Sequence, residues 1–150
     1  MGITDMIRFD VYLAGAMHGR VGEIVLAERL AAKNMCKKLG LTYYDPAEDE
    51  VIKPNEIIDA KPNLRLMRWY VEKDDKHIDQ CRSLLLLTGD KASSGSLWEC
   101  GRMRYRNHRP IAVVAPLMCA GQLANFTTVK ADKLAKTQKA ALTWLKRRLK

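Results

Sequence analysis

The sequence predicts an α/β domain, a three-layer sandwich built on a mostly parallel sheet of four or five strands. Two observations carry this. Short apolar runs of strand character alternate with amphipathic stretches of helical period. Each run is closed by glycine, Asp-Pro or a Ser/Gly stretch, the punctuation expected between strand and helix. At 150 residues, 47% hydrophobic and 29% charged, the chain has the size and composition of one ordinary core. Residues 1–150 are therefore read as one domain with a basic C-terminal helix from about 128 to 150.

Each element follows from its own pattern. Phe9 to Leu13 is an apolar run closed by Ala14-Gly15, a first strand. Gly22 to Leu39 has helical apolar spacing, and Gly40 stands where a C-terminal glycine cap belongs. Leu41 to Tyr44, ended by Asp45-Pro46, is a short second strand, and the acidic 47–62 stretch with Pro54 and Pro62 is a loop over one edge. From Leu64 to Cys81 a helix is expected, its stripe running through Met67, Val71, Ile78 and Cys81. Asp74 completes that stripe, so its carboxylate is expected to face inward. Ser83 to Leu87 and Ile111 to Ala115 are buried-type strands, separated by a polar loop and a helix from Ser96 to Asn107. The final helix carries the stripe Leu134, Ala141, Leu142, Leu145 and Leu149.

Several function classes fall away on composition. The longest apolar runs are four or five residues, against about 20 for a membrane span. The start has no apolar block before a cleavage site, so no signal peptide is expected. Cys36, Cys81, Cys100 and Cys119 lie far apart, and His18, His77 and His108 offer no ligand spacing. Reduced thiols, a cytoplasmic location, no metal and no cofactor are the expectation. The net charge of +9 resides largely in the tail and in Arg102, Arg104, Arg106 and Arg109. It favours anionic partners, with nucleic acid on the tail less favoured than a small phosphate or nucleotide.

Ligands of open parallel sheets bind beyond the carboxyl ends of the strands. There the first turn, GAMHGRVGE, places Gly15, Gly19 and Gly22 between strand and helix, where backbone N–H groups approach a phosphate and His18 and Arg20 add charge. It matches neither G-x-G-x-x-G nor a P-loop, which weakens NAD and ATP as ligands. The stretch Ser93-Ser94-Gly95-Ser96-Leu97-Trp98-Glu99 follows a buried strand. Ser96 with Glu99 has the pattern of a capping box, and equally sets a carboxylate over the sheet edge. An inward Asp74 needs a partner such as Arg65 or Arg68, or else a wet pocket. Two carboxylates in one crevice point to glycosyl-bond or general acid/base chemistry.

These motifs, taken in order, resemble the nucleoside 2-deoxyribosyltransferase superfamily, including its deoxynucleoside 5′-monophosphate N-glycosidases. The resemblance spans roughly Val11 to Val114 and rests on VYLAGAMHGR, on YYDP, on Asp74 through Ile78 to Cys81, and on Ser93 to Glu99. It implies a flavodoxin-like sheet and cleavage of an N-glycosidic bond without metal or redox cofactor. By resemblance Glu99 is the glutamate attacking the anomeric carbon. Asp74 holds the sugar and assists the leaving base, and Tyr12 orients the glutamate. Ser93, where free-nucleoside transferases carry an acidic residue, favours a 5′-monophosphate, with base exchange on free deoxynucleosides or non-catalytic nucleotide or nucleic-acid binding as the alternatives. With Gly95 and the first turn it would form the phosphate side of the site. A homodimer or larger homo-oligomer is also implied. Arg82, where many relatives have Asp, departs from the pattern.

Overall fold

The computed structural model describes residues 6–58, 63–88, 94–115 and 131–150. Strands β1 (Phe9–Gly15), β2 (Tyr43–Tyr44), β3 (Cys81–Leu87), β4 (Ile111–Val114) and β5 (Lys133–Ala135) form one sheet in the order β2-β1-β3-β4-β5. Every pairing is parallel. This doubly wound order reverses direction at β1, and the crevice at that switch point is where such folds bind ligands.

Helices cover both faces. Because side chains alternate along a strand, Val11 and Leu13 point one way and Tyr12 and Ala14 the other. The first set joins Leu85, Leu87, Ala112 and Val114 beneath α1 (Gly22–Leu39) and α4 (Gln138–Arg148). The second joins Leu84, Leu86, Ile111 and Val113 beneath α2 (Leu64–Asp79) and α3 (Ser94–Gly101). Burial on both sides explains the consecutive apolar residues Val11–Ala14 of β1 and Leu84–Leu87 of β3.

Helix α1 has the expected bounds, and Gly40 closes it at φ +70° with its N–H on the Cys36 and Lys37 carbonyls. Elsewhere the boundaries move. Cys81 opens β3 instead of closing α2. Met67 and Val71 are exposed, so the α2 stripe is buried only at its C-terminal end, through Ile78. The helix expected through Asn107 becomes a π-helical turn over Arg102–Arg106, with the Asn107 N–H bonded to the Arg102 carbonyl at 3.2 Å. Arg102 there makes paired hydrogen bonds to Asp79 at 2.9 and 2.8 Å, an anchor that holds the wider turn against α2. In the tail as described, from 131, β5 precedes α4, so the helix expected from about 128 is present only from Gln138, and Leu134 belongs to the strand. Leu142 and Leu145 are fully buried in the chain's own core. Among the described residues no helix is long and apolar enough to cross a membrane.

Candidate active site

The first turn and the α2–α3 edge meet at the carboxyl ends of β1 and β3, and their polar groups fare very differently. In the turn, hydrogen-bond capacity is used internally. The N–H groups of Gly19, Gly22 and Glu23 donate to the carbonyls of Ile58, Glu56 and Pro54 at 2.9, 2.9 and 2.7 Å. Ile58 returns a bond to Arg20, and Val21 bridges Ile57. The 53–58 segment thus caps the N-terminus of α1. A Cβ on Gly22 would lie 2.1 Å from the Lys53 carbonyl oxygen, so only glycine permits this approach.

Arg20 is buried and forms a two-point ion pair with Glu28 at 3.1 Å, with a further bond to the Ala16 carbonyl at 2.8 Å. The Gly19 N–H and the Arg20 guanidinium, expected to face a phosphate, are thus engaged within the turn. Their capacity goes into fixing the turn. Gly15 serves packing: a Cβ there would meet the Leu87 carbonyl at 2.5 Å. His18 is exposed and faces the charge of Glu50.

Behind the turn, the buried Arg29 binds the Leu13 and Gly15 carbonyls at 2.6 and 3.0 Å and Asp45 at 3.1 Å. Asp45 also accepts from the Ala47 N–H at 3.0 Å, which starts the 3-10 turn Pro46–Asp49. This gives the YYDP motif its physical role, since neither charge is tolerable buried without the other. Arg29 sits within the α1 pattern as one polar residue among several, and no sequence signal set it apart.

At the α2–α3 edge the polar groups are left under-satisfied. Tyr12 is fully buried beneath Tyr44, with ring centroids 5.8 Å apart. Its hydroxyl has no hydrogen bond of full geometry among the described residues. Burial, and then the charges of Glu99 and Asp74, hold its pKa well above 10. The hydroxyl nonetheless lies near enough to Glu99 to favour that carboxylate's ionised form. Glu99 is half-buried, and desolvation pushes its pKa up to about 7, with Asp74 adding repulsion.

Asp74 is also half-buried, and burial lifts its pKa to about 6. Its Oδ1 has no hydrogen bond among the described residues, and the nearest cation is Lys73 at 3.9 Å. Neither Arg65 nor Arg68 takes it. Asp75 is engaged by Trp98 Nε1 at 3.1 Å and Arg102 at 3.4 Å; both aspartates repel the Glu99 carboxylate, Asp74 the more strongly, and Asp74 also acts on Tyr12. Tyr12, Asp74 and Glu99, far apart in sequence, come into one electrostatic cluster.

Two neighbours escaped the sequence reading. Glu50 is half-buried, with its pKa raised by desolvation, and it repels Asp74. Lys73 stands between Asp49 at 3.3 Å and Asp74 at 3.9 Å, packed 5.0 and 5.1 Å from the Trp69 and Tyr70 ring centres. Tyr44 completes this side, donating to Asp49 at 2.5 Å and stacking on His77 at 3.9 Å. Glu50 lies in a polar loop and Lys73 next to an expected site residue, so chain position alone identified neither.

Helix α3 starts at Ser94, two residues before the proposed cap, so the buried Ser96 lies inside the helix. Gly95 is exposed in its first turn. Ser93 lies outside the described residues, as does Cys119; Cys36, Cys81 and Cys100 are buried free thiols. Among the described residues no three metal-ligating side chains converge.

No family profile matches the chain, and no curated protein matches it. Solved structures do. A conserved protein from Enterococcus faecalis V583 is similar at a TM-score of 0.62 and 15% identity, over 95% of this chain and 99% of that one. A 2-deoxyribosyltransferase from the psychrotolerant bacterium Bacillus psychrosaccharolyticus is similar at a TM-score of 0.62 and 17% identity, over 87% and 88%. The chain thus has the nucleoside 2-deoxyribosyltransferase-like fold. At these identities the likeness speaks for the fold and not for the reaction.

Proposed function

We propose that this protein cleaves the N-glycosidic bond of a (2′-deoxy)nucleoside 5′-monophosphate and releases the free base. The observation that carries the reading is the convergence of Tyr12, Asp74 and Glu99 at the switch point, with both carboxyl groups raised toward neutral pH. A carboxyl pair poised near pH 6 to 7 has one member available as anion and the other as acid.

In this reading an oxygen of the Glu99 carboxylate attacks the sugar C1′, and the C1′–N bond breaks with its electron pair leaving on the base. Protonated Asp74 supplies the proton the base needs. The glycosyl ester on Glu99 is then attacked at C1′ by water, whose proton goes to the Asp74 carboxylate, and Glu99 leaves as carboxylate. The Tyr12 hydroxyl steadies the Glu99 anion before attack and after release.

The 5′-phosphate preference rests on Ser93 and on the N-terminus of α3, where Gly95 leaves backbone accessible. A second reading, base exchange between free deoxynucleosides, gains from the first turn, because Gly19 and Arg20 are already engaged. Incubation with each nucleotide, and separately with deoxynucleosides plus an acceptor base, distinguishes the two. Free base from monophosphates alone supports the first, and a new nucleoside formed only with acceptor supports the second. No base release or exchange from any substrate overturns both. The exposed Leu64, Met67, Trp69 and Val71 of α2, beside these residues, are proposed to be covered by a second copy of the chain. A monomeric mass at micromolar concentration by light scattering would refute this.

A further inference from the structure

We propose that the groove between α4 and β5 binds single-stranded nucleic acid, on a surface separate from the candidate active site. The groove has a volume of about 420 Å³ and is lined by Lys133, Lys139, Thr143, Trp144 and Arg147, among others. It lies on the α1–α4 side of the sheet, whereas Tyr12, Asp74 and Glu99 belong to the α2–α3 side.

Charge points to the ligand. Residues 133–150 carry Lys133, Lys136, Lys139, Lys146, Arg147, Arg148 and Lys150 with no Asp or Glu side chain. Elsewhere several arginines and lysines pair with carboxylates, as Arg102 does with Asp79 and Arg104 with Asp132. Among the described residues none of these seven cations forms such a pair. Lys139, Thr143 and Arg147 recur every four residues, so they share one face of α4. The two cations stand about 12 Å apart along the helix axis, a separation that one phosphodiester backbone can bridge.

Trp144 chooses among polyanions. It is half-buried in the same groove, with the Arg148 guanidinium 5.7 Å from its ring centre. An aromatic face set among cations suits an unpaired base stacked beside its own phosphates, which a duplex does not present. A membrane surface fits poorly, because the apolar residues of α4 (Ala141, Leu142, Leu145) are already buried in the core.

Fluorescence anisotropy of a labelled oligothymidylate of about 15 nucleotides, with the full chain, tests this. Three phosphate contacts give a slope of log affinity against log salt of about −2. Lys139→Gln with Arg147→Gln, both exposed, should weaken binding about tenfold or more at low salt and flatten the slope to about −1. Melting temperature and base release from mononucleotides should not change. Failure of the wild type to bind, or undiminished binding by the double variant, overturns the proposal. So does equally tight binding of polyglutamate, an anionic vesicle or a blunt duplex. Base release is measured separately, so loss of one reading leaves the other standing.

Discussion

The first turn and the α2–α3 edge differ in how their polar groups are used: the first is bonded internally, the second is short of partners. In the turn, the Gly19, Gly22 and Glu23 amides meet carbonyls and Arg20 meets Glu28. At the α2–α3 edge, Tyr12 Oη and Asp74 Oδ1 are buried without hydrogen bonds among the described residues, and Glu99 and Asp74 have raised pKa values. Buried polar groups cost free energy unless paired. One wall thus spends its polar groups on its own structure, while the other keeps carboxyl groups with raised pKa values beside a buried hydroxyl.

The largest effect that sharpens this contrast is on turnover. Glu99→Gln should lower base release by about 10⁴-fold while the protein stays folded, read by chromatography of product beside circular dichroism. Retained turnover would mean the starved wall is not the reacting one. Asp74→Asn should lower kcat by about 10²-fold. In the wild type, with the Asp74 pKa at about 6 and that of Glu99 at about 7, the reacting form (Glu99 anion beside protonated Asp74) is the minor singly protonated state. The rate should therefore follow a narrow bell between about pH 6 and 7 whose limbs belong to the coupled pair. The Asn variant should lose the alkaline fall.

Gly22→Ala tests the other wall. The new methyl collides with the Lys53 carbonyl, and about 2–3 kcal/mol of stability should be lost, measured by denaturant unfolding. Residual activity per folded molecule should be little changed.

The smallest effect is a gain. A carboxyl whose folded pKa lies above its unfolded value makes the native state hold its proton longer, so its cost appears as pH rises between about 4.5 and 7. Glu99→Gln should therefore be more stable than wild type by about 1–2 kcal/mol at pH 8 and equal to it near pH 4, by thermal melts. A loss of stability at pH 8 would mean that Glu99 is a structural anion.

Much of this molecule is legible in its pattern. The period of α1, its Gly40 cap, the apolar strands and the inward face of Asp74 all follow from local spacing, because periodicity reports which side of an element is apolar. Strand β5 was hidden: Lys133–Ala135 is three residues at a sheet edge, too short and too polar for an apolar run. The exposure of Met67 and Val71 was hidden as well, since a stripe says which side is apolar but not whether anything lies against it.

Chain order and residue type by themselves determined the α/β class, the helix periods and the short list of side chains with useful chemistry. Only the tertiary structure decided that Arg20 is neutralised by Glu28, that Arg29 joins β1 to Asp45, and that Asp75 takes Arg102 while Asp74 acts on Tyr12 and Glu99. The reason is physical. Periodicity is a property of neighbours along the chain, whereas the state of a charge depends on which distant groups share its low-dielectric surroundings.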